Sequence, residues 1–214
     1  MTTTPAPPFK FLAGDPSLDF VNTVDWTARG LANERIPDFE ALTRWAEKAG
    51  TLDRREGRRF RKLSKARPRE ARSAHETAVA LRATLKRLFD GVAAKAALEE
   101  FNRHLGGALE SLRLRPSGDG RGCAWRFAGS DENLASIVFP VAWAAARLLV
   151  SDEARSIRVC AGADCGWLYV DRSRNGLRRW CAMETCGTIE KSRRRRERVV
   201  RARTTKKRKR DATT

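Results

Sequence analysis

Four cysteines near the C-terminal end of the chain constrain its fold more than any other feature. Cys160, Cys165, Cys181 and Cys186 follow the spacing Cys-x4-Cys-x15-Cys-x4-Cys. Two close pairs of thiolates joined by a hairpin-length connector are typical of tetrahedral structural Zn²⁺ sites. A segment of this length cannot bury a core of its own, so we expect one bound zinc ion to organise it.

Disulfide bonds and thiol redox chemistry are the alternatives to zinc. Residues 1–14 contain no cationic segment followed by an apolar run, so no secretory signal is indicated. We therefore expect a cytoplasmic location, where paired cysteines more often bind metal than form disulfides. A redox role favours a two-residue gap, which neither pair has. The fifth cysteine, Cys123, lies far upstream and is expected in the first domain, not as a ligand.

The cysteine set predicts a structural metal and no catalysis. All four zinc positions are filled by cysteine, which leaves no open position for an activated water. The two histidines, His75 and His104, both lie upstream of the cysteines. The sequence contains no Gly-rich phosphate loop and no set of nucleophile, histidine and carboxylate. We expect a protein that is not an enzyme.

The positive charge is concentrated at the C-terminal end. Residues 172–210 contain 17 lysines and arginines against three acids, which places +14 of the chain's formal charge of +18 in this segment. Charge segregated in this way favours a polyanionic partner. The candidate nucleic-acid contacts are the cations closest to the cysteines: Arg172, Arg174, Arg178, Arg179, Lys191, Arg193, Arg194, Arg195 and Arg196.

A β-hairpin is expected between the second and third cysteines. Residues 167–170 have strand composition, residues 177–181 can form the partner strand, and Asn175-Gly176 is a strong two-residue turn signal. This register places Arg172 opposite Arg179, a repulsive pair that an anion would stabilise; the alternative is two solvated arginines. A knuckle, a hairpin and then a helix is the order of a treble-clef zinc finger.

Hydrophobic periodicity predicts that the first domain is mainly α-helical, with small β-hairpins. Asp15 and Asp38 are expected helix caps, and Pro140 is expected to kink a helix or restart it. A turn signal between alternating segments predicts a hairpin within residues 111–127. The predicted helices cover residues 16–26, 39–50, 53–66, 70–90, a segment after Ala93, and 131–150.

The cysteine segment resembles the CGNR zinc-finger family of bacterial proteins. The resemblance is carried by Cys-Gly-Trp-Leu-Tyr-Val-Asp-Arg-Ser-Arg-Asn-Gly, followed by Arg-Arg-Trp-Cys-Ala-Met-x-x-Cys-Gly. In that family the finger follows a helical ABATE domain, whose opening resembles Leu18-Asp19-Phe20-Val21-Asn22-Thr23. The resemblance implies a stress-related transcriptional regulator. It divides the chain into a disordered leader (1–8), an ABATE-like domain (9–155), the finger (156–192), and a basic helix and tail (193–214).

One departure from the family concerns its signature. Cys-Gly-Asn-Arg is here Cys186-Gly187-Thr188-Ile189, so the ligand and the glycine are kept while the asparagine and arginine are lost. Contacts that those two side chains make in relatives are therefore not expected here. The arginines at 193–196 are one expected substitute, which would act non-specifically; the alternative is that this member binds in a different way.

Asp19, Asn22 and Trp26 are the candidates for an effector pocket in the first domain. The alternative for these three residues is local hydrogen bonding by Asp19 and Asn22, with Trp26 packed in the core.

The sequence thus favours a bacterial DNA-binding transcription regulator in which the first domain senses a small molecule or a protein. An RNA-binding or ribosome-associated protein is the first alternative. A protein-interaction module with a purely structural finger is the second. No membrane partner is expected, because no apolar segment is long enough to span a bilayer.

Overall fold

The structure is a computed structural model that describes residues 8–91, 94–118, 120–128 and 132–198. Apart from Pro8, the predicted disordered leader lies outside these residues, as does the tail from residue 199. The α-helices are α1 (Pro16–Val21), α2 (Phe39–Lys48), α3 (Arg54–Ala66), α4 (Pro68–Phe89), α5 (Ala94–Ser111), α6 (Phe139–Leu149) and α7 (188–198). The strands are β1 (Asp25–Thr27), β2 (Gly30–Ala32), β3 (Leu112–Pro116), β4 (Cys123–Phe127), β5 (Ile157–Val159) and β6 (Leu168–Val170).

The mainly helical fold with small antiparallel strand pairs is confirmed. Each pair is a two-stranded hairpin: β1 with β2, β3 with β4, and β5 with β6. The predicted hairpin within 111–127 is β3–β4, which pairs Leu112 with Phe127. Among the described residues, no helix is both long enough and apolar enough to cross a bilayer.

Side-chain caps start the helices where the sequence predicts them. Asp15 accepts a hydrogen bond from the backbone N–H of Ser17 at 2.8 Å, and Asp38 accepts one from that of Ala41 at 2.7 Å. These bonds satisfy N–H groups that have no partner inside a helix. Pro140 restarts the chain as α6, directly after a short 3₁₀ helix (Leu134–Val138), because its missing N–H is tolerated in a first turn.

The first helix is shorter than predicted. It ends at Val21, five residues before the expected end at Trp26. The Thr23 hydroxyl donates to the carbonyl oxygen of Phe20 at 2.8 Å, and the backbone then enters β1. Periodicity alone did not show this change because apolar residues continue through Val24.

The helical part and the cysteine segment share one hydrophobic core. The core contains Leu18 and Trp45 from the helices together with Leu168 and Tyr169 from β6, all at most 1% exposed. The cysteine segment therefore packs into the helical part instead of standing as a separate body.

The predicted hairpin of residues 167–170 with 177–181 is wrong. Strand β6 pairs instead with β5, with Ile157 opposite Val170 and Val159 opposite Leu168. The far side of β6 is bound by the N-terminal part of the chain, since the backbone N–H of Val170 donates to the carbonyl oxygen of Ala13 at 2.8 Å. No edge of β6 is left for residues 177–181.

Candidate zinc finger and basic surfaces

The knuckle between β5 and β6 positions the first two cysteines. The backbone N–H of Cys160 donates to the carbonyl oxygen of Trp167 at 2.8 Å, which closes the hairpin. The backbone N–H of Cys165 donates to the carbonyl oxygen of Gly162 at 3.3 Å, which closes the turn between the two cysteines. The other two ligands come from beyond β6: Cys181 at the end of a loop, and Cys186 in a π-helical turn (Met183–Gly187) that leads into α7.

The four sulfur atoms fit one tetrahedral metal ion. All lie within 4.8 Å of one another. The Sγ atoms of Cys165 and Cys181 are 3.7 Å apart, and those of Cys181 and Cys186 are 3.6 Å apart. With Zn–S bonds of about 2.3 Å, the edge of a regular tetrahedron is about 3.8 Å. A Cβ atom at Gly162 would meet the Cys186 sulfur at 3.2 Å, so only glycine leaves this space free.

The close approach of the four thiols shifts the pKa values of three of them. Hydrogen bonds from the Cys165 and Cys181 thiols lower the pKa of Cys160 to about 2. The same contacts with Cys160 raise the pKa of Cys181 to about 12 and also raise that of Cys165. Without metal, Cys160 is therefore the deprotonated thiol, and it accepts hydrogen bonds from the thiols of Cys165 and Cys181, which keep their protons. Zinc releases those protons on binding, so its affinity falls at low pH.

The N-terminal part of the chain holds the finger from the side. The Asn22 amide donates to the carbonyl oxygen of Leu168 at 2.8 Å and accepts from its backbone N–H at 2.9 Å. The Trp167 indole N–H donates to the Asp25 carboxylate at 2.8 Å. At Gly166, where φ is +64°, a Cβ atom would meet the backbone oxygen of Trp26 at 2.0 Å. The two parts are interlocked through backbone as well as side chains.

The three residues expected to form an effector pocket all make hydrogen bonds within the chain. Asp19 accepts from the backbone N–H groups of Leu12 and Ala13 at 2.9 and 3.0 Å. The indole N–H of Trp26 donates to the carbonyl oxygen of Val21 at 2.9 Å. Together with the Asn22 bonds, these contacts use the polar groups of all three side chains. Their role in an effector pocket stays a prediction.

A carboxylate organises the loop between β6 and Cys181. Asp171 accepts hydrogen bonds from the backbone N–H and hydroxyl of Ser173, at 2.9 and 2.6 Å, and from the backbone N–H of Arg178 at 3.0 Å. Gly176, at φ +61°, donates its N–H to the Ser173 carbonyl oxygen at 3.1 Å. The turn expected at Asn175-Gly176 therefore belongs to this loop and not to a hairpin.

Arg178 lies inside this loop. Its guanidinium stacks 4.2 Å above the Tyr169 ring and donates to the carbonyl oxygens of Leu12, Trp180 and Cys181. A side chain that binds several carbonyls holds the backbone around the third zinc ligand. The structure gives Arg178 this role, and its contact with a nucleic acid stays a prediction.

The remaining residues predicted to contact nucleic acid differ in whether an acidic side chain of the same chain pairs with them. Arg172 is bidentate to Glu153 at 2.6 and 2.9 Å, and the expected opposition to Arg179 does not occur. Arg193 pairs with Glu190 and Glu197, and Arg194 lies 3.6 Å from Glu190. In the described part of the chain, no ion pair joins the other exposed cations of the set: Arg174, Arg179, Lys191, Arg195 and Arg196.

The two signature positions that differ from the family lie at the start of α7. The Thr188 hydroxyl donates to the carbonyl oxygen of Met183 at 3.0 Å, which closes the turn that carries Cys186. Ile189 is 68% exposed. An uncharged side chain thus projects where the family's arginine would stand.

Two further features were not singled out from the sequence. One is a cleft of about 300 Å³ bordered by Phe60, Trp125, Trp143 and Arg147. It lies where β4 and α6 meet the start of α3 and the loop before it, and no sequence signal indicated that these elements meet. The other is the exposed basic face of α3. The sequence did contain a signal for it, because residues 54–72 include ten lysines and arginines against two glutamates.

Two family models match the chain, in the order in which its parts occur. The ABATE family, described as "Putative stress-induced transcription regulator", matches residues 14–152. The CGNR zinc finger matches residues 156–199. Both describe regulator and zinc-finger types and neither describes an enzyme. No curated protein matches the chain.

Proposed function

Because the chain belongs to the ABATE family and ends in a CGNR zinc finger, we propose that it is a DNA-binding transcription regulator of the bacterial cytoplasm. The observation that supports DNA binding most directly is the coupling of the metal site to a cationic helix. Cys186 lies in the turn that leads into α7, so the bound metal fixes where α7 begins. Without the metal, the start of α7 would no longer be fixed, and the cations of α7 would no longer have a fixed orientation.

The exposed charges of α7 suit phosphate contacts. Every residue from 193 to 198 is exposed, and consecutive positions on a helix are about 100° apart, so its cations surround the helix. Such an arrangement neutralises phosphates without reading bases, which is the pattern of contacts that position a protein on DNA. Arg174 and Arg179 add exposed charge from the preceding loop.

The RNA alternative is weakened by the aromatic side chains. Single-stranded RNA is usually bound by stacking its bases on exposed aromatic rings. Trp167 is 4% exposed and Tyr169 is 1% exposed, and both belong to the shared core. These rings are not available to bases, so duplex DNA is the better match to the finger.

The protein-interaction alternative rests on exposed apolar side chains near the finger. Leu177, Met183 and Ile189 are each about half exposed or more. A partner held by such side chains binds with little dependence on salt, whereas DNA binding weakens steeply as salt rises. Salt dependence therefore separates the two functions.

The first test measures binding of the full chain to duplex DNA between 50 and 300 mM salt. Three exposed cations of α7 are neutralised together: Lys191→Gln, Arg195→Gln and Arg196→Gln. If all three contact phosphates, the log–log salt slope becomes less negative by about 2.7. The control neutralises three exposed cations of α5 and β3, with Lys95→Gln, Arg103→Gln and Arg113→Gln, and is expected to keep the wild-type slope.

Failure of the wild-type chain to bind duplex DNA with a steep salt slope would refute the proposal. Preference for structured RNA over duplex DNA in a competition would favour the first alternative. Chromatin immunoprecipitation of the tagged chain then tests occupancy in the cell, with Cys181→Ser as the control that should lose it.

The sensing role of the helical part is best placed in the cleft beside Trp125. Trp125 is 53% exposed and its ring centroid lies 6.3 Å from that of Trp143, while Arg147 adds a positive charge at the border. This combination suits a flat aromatic carboxylate. Titration with benzoate should quench tryptophan fluorescence, and Trp143→Ala should reduce the effect. Unchanged fluorescence in the wild type would remove the cleft as the sensor.

A further inference from the structure

The exposed face of α3 carries a row of positively charged side chains. Arg54, Arg58, Lys62 and Lys65 are all exposed and follow one another at spacings of four, four and three residues. Residues at such spacings lie on one face of a helix. We call these four residues the α3 stripe. Twelve residues of helix make it about 17 Å long.

The opposite face of α3 fixes the direction in which the stripe points. Gly57 and Phe60 are buried, and Leu63 packs against the core. The start of the helix is held by a capping box in which Asp53 and Glu56 each bond the other's backbone N–H at 2.8 Å. Glu56, the acid within this helix, is thereby used at the cap and does not lie among the cations of the stripe.

The charges of the stripe have no internal partner. In the described ranges, no ion pair joins any of the four cations to an acid. The neighbouring carboxylate, Glu47, is taken by Arg61, whose guanidinium binds both of its oxygens at 2.8 and 2.9 Å. The hydrogen bond from Arg61 holds the pKa of Glu47 below its usual value, and the charges of Arg54 and Arg58 lower it further. Cations therefore remain in excess, and two cations of the stripe, Arg54 and Arg58, border an open cleft of about 520 Å³.

From this arrangement we propose that the α3 stripe is a second contact surface for the phosphate backbone of the duplex DNA that the finger binds. The inference rests on the proposed function. A 17 Å length of duplex carries about ten phosphates, which is more than enough for four cations. The finger and α3 belong to parts of the chain that share one core, so the fold fixes the position of one basic surface relative to the other.

Other polyanionic partners match the stripe less well. A lipid surface binds helices that expose apolar side chains beside the cations, and here the apolar residues Phe60 and Leu63 face the core. Single-stranded RNA needs exposed aromatic rings for stacking, and the stripe has none. Protein interfaces have aromatic or aliphatic residues at their centre, which the stripe also does not offer.

The test removes the four charges from the full, zinc-loaded chain, with Arg54→Gln, Arg58→Gln, Lys62→Gln and Lys65→Gln. Glutamine is a good helix former, so α3 is expected to be retained. If all four cations contact phosphates, the log–log salt slope for a duplex of about 40 base pairs becomes less negative by about 3.6. The control carries four neutralised cations elsewhere: Lys95→Gln, Arg103→Gln, Arg113→Gln and Arg115→Gln.

The outcomes separate this inference from the proposed function. A stripe variant whose slope and affinity equal those of the wild type, while the α7 variant loses slope, overturns the stripe alone. Equal losses in the stripe variant and the control overturn it too, because total charge would then be the cause. A wild-type chain without salt-dependent duplex binding overturns both proposals. Zinc content and circular dichroism of every variant confirm that the fold is unchanged.

Discussion

Asn22 binds a backbone peptide that follows it by 146 residues and uses both halves of its side-chain amide to do so. The residue is 2% exposed, and the bonded peptide of Leu168 is buried as well. A buried backbone group that loses its partner costs about 1–3 kcal/mol. Single side chains of this kind join the helical part to the finger.

Asn22→Ala should lower the free energy of unfolding by about 2–6 kcal/mol, because the N–H and the carbonyl of Leu168 both lose their partner. Urea unfolding measures the change. Asn102→Ala, at an exposed position of α5, should change it by less than about 0.5 kcal/mol. Equal stability of the two variants would contradict the bonds at Leu168.

Asp19 makes the stability of the fold depend on pH. Burial raises its pKa from 3.8 to about 6, although hydrogen bonds from Ala13 and Leu12 act in the opposite direction. The folded chain thus binds a proton more tightly than the unfolded chain. Stability from this group is fully present below about pH 4 and is lost as pH rises to about 6, by at most about 3 kcal/mol.

Asp19→Asn should remove this dependence. The difference in unfolding free energy between wild type and variant is expected to change between pH 4 and 6 and to level off above that range. Urea unfolding at half-unit steps of pH measures it. A difference that stays constant across the range would show that the Asp19 carboxyl titrates normally.

Cys181→Ser should abolish zinc binding, because three sulfur atoms leave the site incomplete, and should lower the midpoint of thermal unfolding of the whole chain, because the finger and the helices share one core. Cys123→Ser is the matched control, since Cys123 is exposed and lies outside the cluster. Elemental analysis should find one zinc per chain in the control and none in Cys181→Ser. One zinc in both variants would remove Cys181 from the ligand set.

Among the elements of the fold, the loop between β6 and Cys181 shows what a sequence can and cannot predict. The Asn175-Gly176 signal identified a turn, and a turn is present at residues 173–176. The expected partner strands were wrong because β6 is bound by β5 on one side and by Ala13 on the other. Helices α2 to α6 were predictable because their signals, periodicity and caps, are local. The partners of β6 are distant along the chain and leave no local signal.

Two arginines of this loop should respond differently to the same substitution. Arg178→Gln should lower zinc retention and stability, because the guanidinium binds the carbonyls around Cys181. Arg174→Gln should keep both, because Arg174 is exposed, and should weaken only DNA binding. Zinc release to a colorimetric chelator and duplex affinity measure the two effects. Similar zinc release from both variants would contradict the internal position of Arg178.

For the whole molecule, the spacing of the four cysteines was enough to predict the metal site, and the resemblance of the residues around them to a known motif was enough to predict the family. The shared core was not predictable. Leu168 and Val170 have ordinary strand composition, and nothing in their neighbourhood shows that they pack on α1. The α3 stripe was visible as charge, but only the packing of Phe60 shows that its cations face outward.

The shared core predicts that the helical part and the finger unfold together. Thermal unfolding followed by helical circular dichroism and by zinc release should give one midpoint, because β6 contributes to the core of both. A zinc chelator should lower both midpoints equally. Zinc release well below the loss of helix would show that the finger opens as a separate unit.

The bonds of Asn22 also affect how the chain is made on the ribosome. Synthesis proceeds at about 5–20 residues per second, so the 146 residues between Asn22 and Leu168 take about 7–30 s to appear. During that time the side-chain amide of Asn22 has no native partner, whatever the neighbouring helices have formed. The segment around Asn22 therefore waits for one that is translated much later, and the metal site cannot be completed before Cys186 has been added to the chain.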